Sequence, residues 1–338
     1  MMFMEAINKQ PLVSVPVITY NSAKYVLETL ESIKAQTYKN IELIISDDCS
    51  IDDTVELCQK WVEQNKERFV HTQIITSETN TGISANLNRA EAACQGEWVK
   101  GIAGDDLLMP NCVENCVRYI DNNQDVVYLF SRMEAFGASS EECQKWDALF
   151  NYDLFSLTSE QLLYHLIFCG NGIPAPALFY KRTVSNVKND ERIPLLEDWP
   201  KWINLVKNGE KFYFIDKVLV KYRLVGISTR GRSSLRYYQS ERLFRFYYLY
   251  PEWKKVDGDA AINKIVDEEC DVYKMLIETE SEEQTKIHSE RNMYKDLYLR
   301  YLRQYNQVMN SKAYKLGKFF IRPFHFVKNI QKMLFVHK

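Results

Sequence analysis

No run of ~18 apolar residues occurs in this chain, so nothing in it reads as a membrane-spanning helix. Residues 1–11 have no apolar core of signal-peptide length either, and a cytoplasmic protein is expected. Histidine is scarce: the five, at positions 71, 165, 288, 325 and 337, fall outside every acidic cluster. That argues against a Ser-His-Asp hydrolase and against a histidine-rich metal centre. Glycine is missing where a dinucleotide-binding turn needs it. None lies between Val13 and Val26, so there is no G-x-G-x-x-G after the first strand. The eight cysteines (49, 58, 94, 112, 116, 143, 169 and 270) follow no disulfide framework. Cys112 and Cys116 lie one helical turn apart, but no second Cys/His pair completes a zinc spacing, so buried free thiols in a reducing compartment are expected. Net charge is also nearly absent. At -2 it excludes a globally basic nucleic-acid binder.

What is present is a core and a pattern. The 338 residues are 46% hydrophobic and 13% aromatic, enough for one large domain or two smaller ones. Apolar strand-like runs at 12–18, 41–45, 73–75, 98–103 and 126–130 alternate with helix-like segments and short links, which predicts a layered α/β fold. Pro16 is awkward for a central strand. Ser22 is placed to cap the first helix, and Ser50 with Asp53 reads as a capping box for the second. Asn80-Thr81-Gly82 is a turn, followed by a helix from Ile83 to Cys94. From about Ser156 regularity fades: residues 170–177 read as a loop, 199–206 as a helix and 212–222 as two short strands. Beyond Leu235 the chain reads as helical and strongly aromatic.

Carboxylates cluster where the apolar runs stop. Asp47-Asp48 follows the second strand, Asp105-Asp106 follows Gly104, and Glu197-Asp198 precedes Trp199. In open α/β sheets ligands bind outside the carboxyl ends of the strands. An acidic edge repels bare phosphate, so a divalent cation is expected between carboxylate and phosphate. The reading is a metal-assisted nucleotide site. Asp48 is suited to accept the N3–H of a uracil ring or ribose hydroxyls. Asp52 and Asp53 read as helix-dipole charges instead. The acid beside Trp199 and Trp202 suits a general base in a sugar-accepting cleft.

With these residues in view, the chain resembles the family-2 glycosyltransferases, which have the GT-A fold: a mixed, mainly parallel sheet flanked by helices, here with an α-helical C-terminal extension. The resemblance rests on VSVPVITYN (13–21), SIKAQTYKNIELIISDDCSIDDT (32–54), NTGISANLNRA (80–90), GEWV (96–99), DDLLMP (105–110) and LLEDW (195–199), in order. It covers roughly two thirds of the chain, from Val13 to about Ser228. It implies inverting transfer from a nucleoside diphosphate sugar, most often UDP-linked. Thr19, Tyr20, Asn21, Asp47, Asp48, Asn80, Gly82, Asp105 and Asp106 would surround the donor. Asp105 would bind Mn2+ or Mg2+, Asp198 would be the general base, and Glu197 and Trp199 would support the acceptor. Three positions depart from the family pattern: Ala103 replaces a third Asp, Leu87 replaces an Arg, and no His follows Tyr222-Arg223.

The expected division is a catalytic domain over 1–235, a helical extension over 236–310 and a basic tail over 311–338. The tail carries seven Lys/Arg and no acid, leaving 36 basic against 45 acidic residues elsewhere. Its phenylalanines among lysines suit an interfacial helix on an anionic membrane, so the enzyme is expected peripherally on the inner face. The acceptor is expected to be a saccharide or lipid-linked saccharide of surface-polysaccharide synthesis, with homo-oligomer contacts through the C-terminal helices. Two other readings compete with this one. A sugar nucleotidyltransferase would need a glycine-rich basic loop after the first strand, where Thr19-Tyr20-Asn21 stands. A non-catalytic glycan- or partner-binding scaffold would explain Ala103 and the missing His.

Overall fold

The computed structural model describes residues 10–182, 188–224, 235–256 and 265. The chain divides after residue 286, and every described residue lies in the first part. Strand β1 (Val13–Thr19) pairs in parallel with β2 (Ile41–Asp47), and β2 with β3 (His71–Thr76). Helices α1 (Val26–Lys34) and α2 (Thr54–Asn65) make the crossovers. After α3 (Ile83–Ala93) the chain passes to the other side of β1, where β4 (Trp98–Val99) and β5 (Ile102–Ala103) pair with it in parallel. Strand order therefore reverses at β1. That is the topological switch point where open α/β sheets bind ligands.

The remainder makes the sheet mixed. After β6 (Leu107–Leu108), α4 (Cys112–Asp121), β7 (Tyr128–Phe136), α5 (Ser140–Asp147) and α6 (Ser159–Phe168), strand β8 (Leu178–Lys181) runs antiparallel between β4 and β7. Helix α7 (Asp198–Lys207) leads to β9 (Phe212–Arg223), parallel to β7 and antiparallel to β6. Among the described residues the order is β3-β2-β1-β4-β8-β7-β9-β6, with β5 on β1. Alternation along the strands divides the core between two faces. Val13, Val15, Val17, Leu43 and Ile45 pack with α1, α2 and α4, whereas Ile44, Val99, Tyr128 and Phe130 pack with α6 and α7. Helix α8 (Leu235–Phe244) and the turns after it add Phe244, Leu249, Tyr250 and Trp253 to that second cluster. The first described part of the expected 236–310 extension is thus core of the catalytic unit, and the tail over 311–338 lies outside the described residues.

Several local expectations are corrected. Residues 98–103 form two short strands, not one, broken at Lys100-Gly101. The break accommodates Pro16. Ser14 and Ile18 turn their carbonyls toward the β4/β5 side, accepting from Lys100 and Gly104, so Pro16, of the same parity, places its hydrogen-free nitrogen at the gap. Residues 212–223 form one twelve-residue strand; a register shift opposite Ser131–Met133 absorbs the irregularity. Neither serine caps as expected. The Ser22 carbonyl accepts from Tyr25 and Val26 while its hydroxyl bonds Tyr20, and Ser50 belongs to the site described next.

Candidate active site

The ends of β1 and β2 are knotted together by short polar side chains. Thr19 Oγ1 donates to Asp47 Oδ1 at 2.8 Å, and Ser50 gives Asp47 both its backbone N–H and its hydroxyl, at 2.8 and 2.5 Å. Asn21 takes the left-handed region at φ 50° and Cys49 does so at φ 66°. Its side chain explains why asparagine tolerates this. Asn21 Oδ1 accepts from Ile51 N at 2.9 Å while Asn21 N donates to Ser50 Oγ at 2.8 Å. Asp52 accepts from Ala23 N and from Thr54, which in turn accepts from Ser22 N. Asp47 and Asp52 therefore shape the two loops. Tyr20 stands exposed beside them.

Asp48, buried at 2% exposure, clasps a third loop. Its Oδ2 accepts from Gly82 N at 2.7 Å. Its Oδ1 accepts from Thr81 N at 3.1 Å, Thr81 Oγ1 at 2.6 Å and Arg89 Nη2 at 3.0 Å. Three donors crowd Oδ1, so the remaining lone-pair capacity is on Oδ2. Arg89 also reaches Ser46 Oγ and Asn86 Oδ1, and Asn86 Nδ2 donates to Thr19 O. The arginine missing at Leu87 is thus present two residues on, as a positive charge on Asp48. Asn80, half-buried, opens this turn.

The second carboxylate pair follows β5. A Cβ on Gly104 would lie 2.8 Å from Thr19 Cγ2, so only glycine lets Asp105 and Asp106 approach the end of β1. Both acids are buried. Asp106 Oδ1 accepts from Arg223 N at 2.8 Å, and Asp105 O accepts from Arg223 Nε at 2.7 Å. The guanidinium is wedged between the Tyr25 and Phe136 rings and paired with Glu28 at 2.7 Å. Among the described residues Asp106 Oδ2 has no hydrogen-bond partner, and burial, then the neighbouring Asp105 charge, pushes the Asp106 carboxyl well above its ordinary range.

Asp198 begins α7, with Glu197 at the helix cap. One oxygen accepts from Trp199 N at 2.7 Å and the other from Asn171 Nδ2 at 2.8 Å. Trp199 is fixed by its indole N–H on Leu166 O and by the Phe244 ring at 4.6 Å. The segment before Asp198 lies on the 80–82 turn and the start of α3. Ser84 bonds Ile193 O and Pro194 O, and a Cβ on Gly82 would sit 2.6 Å from Pro194 Cβ. Thr19, Asn21, Asp47, Asp48 and Gly82 are thus joined in one bonded network, to which Gly104 joins the Asp105-Asp106 pair by close packing and Pro194 the segment leading to Asp198. Sequence reasoning missed Ser50, Arg89, Asn171 and Arg223. Each sits inside or beside a recognised motif but was read as a cap, a substitution or a loop. None of the described cysteines is in a disulfide, and among the described residues no group of three or more His, Cys, Asp or Glu is arranged to hold a metal unaided.

Residues 14–178 match the Glycosyl transferase family 2 profile. A glycosyltransferase of Methanocaldococcus jannaschii, itself uncharacterised, is 28% identical over 250 residues, covering 72% of this chain and 80% of the relative. A Bacillus subtilis glycosyltransferase named for teichuronic acid biosynthesis, TuaG, is 28% identical over 221 residues, covering 65% and 82%. Among solved structures, the mannosyltransferase PcManGT of Pyrobaculum calidifontis, in complex with GDP-Man and Mn2+, superposes with a TM-score of 0.55 at 15% identity, over 96% of this chain and 85% of that one. S. aureus TarS 1-349 in complex with UDP-GlcNAc gives 0.54 at 20% identity, over 69% of this chain but less than two thirds of TarS 1-349, 65%. These last two likenesses are of fold.

Proposed function

We propose a reaction for this chain, which belongs to glycosyl transferase family 2 and is a glycosyltransferase of the GT-A fold. It moves a sugar, with inversion, from a UDP-linked donor to a hydroxyl of a saccharide or lipid-linked saccharide in surface-polysaccharide synthesis. The observation carrying this reading is the gathering of Asp48 and Asp105-Asp106 at the switch point of the sheet. The likeness to TuaG supports the polymer class, and the fold shared with the UDP-GlcNAc complex of TarS supports the donor class.

The chain's own residues supply most of the chemistry. Asp48 Oδ2 keeps a lone pair for the N3–H of uracil, while Arg89 and the 80–82 turn hold the carboxylate still. Tyr20, Asn21 and Asn80 line the same loops. Asp198 takes the proton from the acceptor hydroxyl as its oxygen bonds to the anomeric carbon and the bond from that carbon to the diphosphate oxygen breaks. Glu197 and Trp199 frame the acceptor side. The Asp105-Asp106 pair fits a divalent cation: its donors are oxygens, both acids are buried, and Asp106 Oδ2 lacks a hydrogen-bond partner among the described residues. Asp105 would hold Mn2+ or Mg2+ together with the phosphates of the donor, because no three-residue cluster does so alone among the described residues. When bound, the ion neutralises charge growing on the leaving diphosphate.

Thermal melting with UDP- and GDP-sugars, each with and without Mn2+, tests the donor. A UDP-sugar should raise the melting temperature, more so with metal; a rise with GDP-sugars only would overturn the donor class. Asp198→Asn should leave that shift intact while cutting transfer by ~10²–10⁴-fold. Near-normal turnover would move the base elsewhere, Glu197 first.

A further inference from the structure

We propose that Asn171 is a positioning residue for the general base: it holds the Asp198 carboxylate in its proton-accepting orientation and favours its ionised form. The inference rests on the assignment of Asp198 as that base. Its observation is the 2.8 Å hydrogen bond from Asn171 Nδ2 to Asp198 Oδ2.

Both ends of this bond are anchored. The Asn171 side chain is oriented by its own loop, since Oδ1 accepts from Ile173 N at 3.0 Å, which leaves the NH2 end to face the acid. Ile173 is 1% exposed, in the core cluster with Trp202. Gly172 O accepts from Asn151 N at 3.1 Å, and a Cβ on Gly172 would come within 3.2 Å of Leu154. Gly170 turns at φ 128°, a conformation other residues rarely adopt. On the other side, Asp198 is held by helix α7 and by the Trp199 backbone. The loop therefore presents one amide donor at a fixed place to one carboxylate oxygen.

The consequence is electrostatic as well as geometric. A donor on a carboxylate stabilises the charged form and lowers its pKa. Without Asn171 the base protonates at higher pH and its rotation is less restricted. Charged and titratable groups also stand on the neighbouring described elements. The 170–177 loop carries none, and Glu197 is adjacent in the chain. On α6, His165 is kept neutral by burial at pH 7, with its pKa pushed down to about 4. Lys201 on α7 is paired with Glu91 at 3.2 Å, and Glu241 on α8 with Arg245 at 2.7 Å.

The test is the pH profile of kcat for Asn171→Ala and Asn171→Asp beside Asp198→Asn, with UDP-sugar affinity measured in each. Asn171→Ala should lower kcat by about 10- to 10²-fold, the scale of a misplaced catalytic group. Its acid limb should move to higher pH, with donor affinity unchanged. Asn171→Asp keeps the shape but sets two carboxylates against each other, so its limb should move further up. It also serves if the alanine variant folds poorly. A wild-type kcat and acid limb in a folded Asn171 variant overturns the inference, provided Asp198→Asn is inactive. An active Asp198→Asn would instead remove the base assignment beneath it. Loss of donor affinity in step with kcat would show a general loop defect and also overturn it.

Discussion

Arg89 and Asp48 make the most consequential pair at the scale of single residues. The carboxylate side chain is 3% exposed and the guanidinium 24%, so removing the cation strands a buried charge. Arg89→Met should destabilise the fold by about 2–4 kcal/mol in urea unfolding, somewhat less than for a fully buried pair. Donor-induced thermal shift should also be lost. Arg89→Lys should recover little, because one ammonium cannot serve Ser46, Asn86 and Asp48 together. His165 offers a separate test. Burial pushes its pKa to about 4 from an ordinary 6.5, so above 6.5 both folded and unfolded forms are neutral. Below 6.5 the unfolded chain takes the proton first, and stability falls as pH drops toward about 4. His165→Gln should flatten that acid slope in urea midpoints measured at pH 7 and pH 5. In the proposed cation site, Asp105→Ala should abolish the metal dependence of UDP binding by calorimetry; an unchanged metal effect would remove Asp105 from it. The acids themselves were legible in the sequence because strand-end position restricts what a carboxylate can do. Their partners were not. Arg89 and Arg223 lie 41 and 117 residues from the oxygens they bond, a separation only the fold closes.

Elements were legible where periodicity was local. The alternation β1–α1–β2–α2–β3–α3 follows from apolar runs with short links, and the paired acids mark the carboxyl edge. Legibility failed where tertiary contacts decide. Nothing in Phe212–Tyr222 announces a single strand, because its continuity depends on β7 beside it and the register shift at Ser131–Met133. Helix α6 did carry a signal, the Thr158/Gln161 capping box, that was passed over in a region read as irregular. The segment from Asn189 to Asp198 is the element most bound to function. It is tied to α3 through Asn88 and Ser84, and to the chain after α8 through Tyr248 on Asp190 and Tyr247 under Arg192. Midway it packs on Gly82, whose N–H bonds Asp48; at its end it starts α7 with Asp198, the proposed base. Gly82→Ala should therefore disturb both donor binding and transfer. Gly82 has φ 93°, and the added methyl meets Pro194 backbone as well as its ring. Transfer should fall by about 10²-fold or more, the scale of a misplaced reacting group. UDP affinity should fall with it. Loss of UDP affinity without any change in single-turnover transfer at saturating donor would uncouple the turn from the base segment.

On the scale of the whole molecule, charge is segregated. Residues 1–310 carry 36 basic and 45 acidic side chains, a net of -9, while 311–338 carry seven basic and no acidic ones. The site adds to the acidic side through its carboxylates. We propose that the tail holds this acidic, acid-edged enzyme on an anionic membrane, where a lipid-linked acceptor would be presented. Seven cations contribute roughly 1 kcal/mol each near an anionic leaflet, and the phenylalanines at 319, 320, 324 and 326 add apolar burial. This segment lies outside the described residues, and no described helix is long and apolar enough to cross a membrane. Truncation after Asn310 should abolish sedimentation with vesicles containing phosphatidylserine at low salt, while UDP-sugar binding stays as in the full chain. Binding of the full chain should weaken steeply as salt rises, because the attraction is screened over about 10 Å at 0.1 M. If the full chain ignores such vesicles, or the truncated form binds them equally, the tail is no membrane anchor. A simultaneous change in oligomeric mass on truncation would then assign it to contacts between copies of the chain.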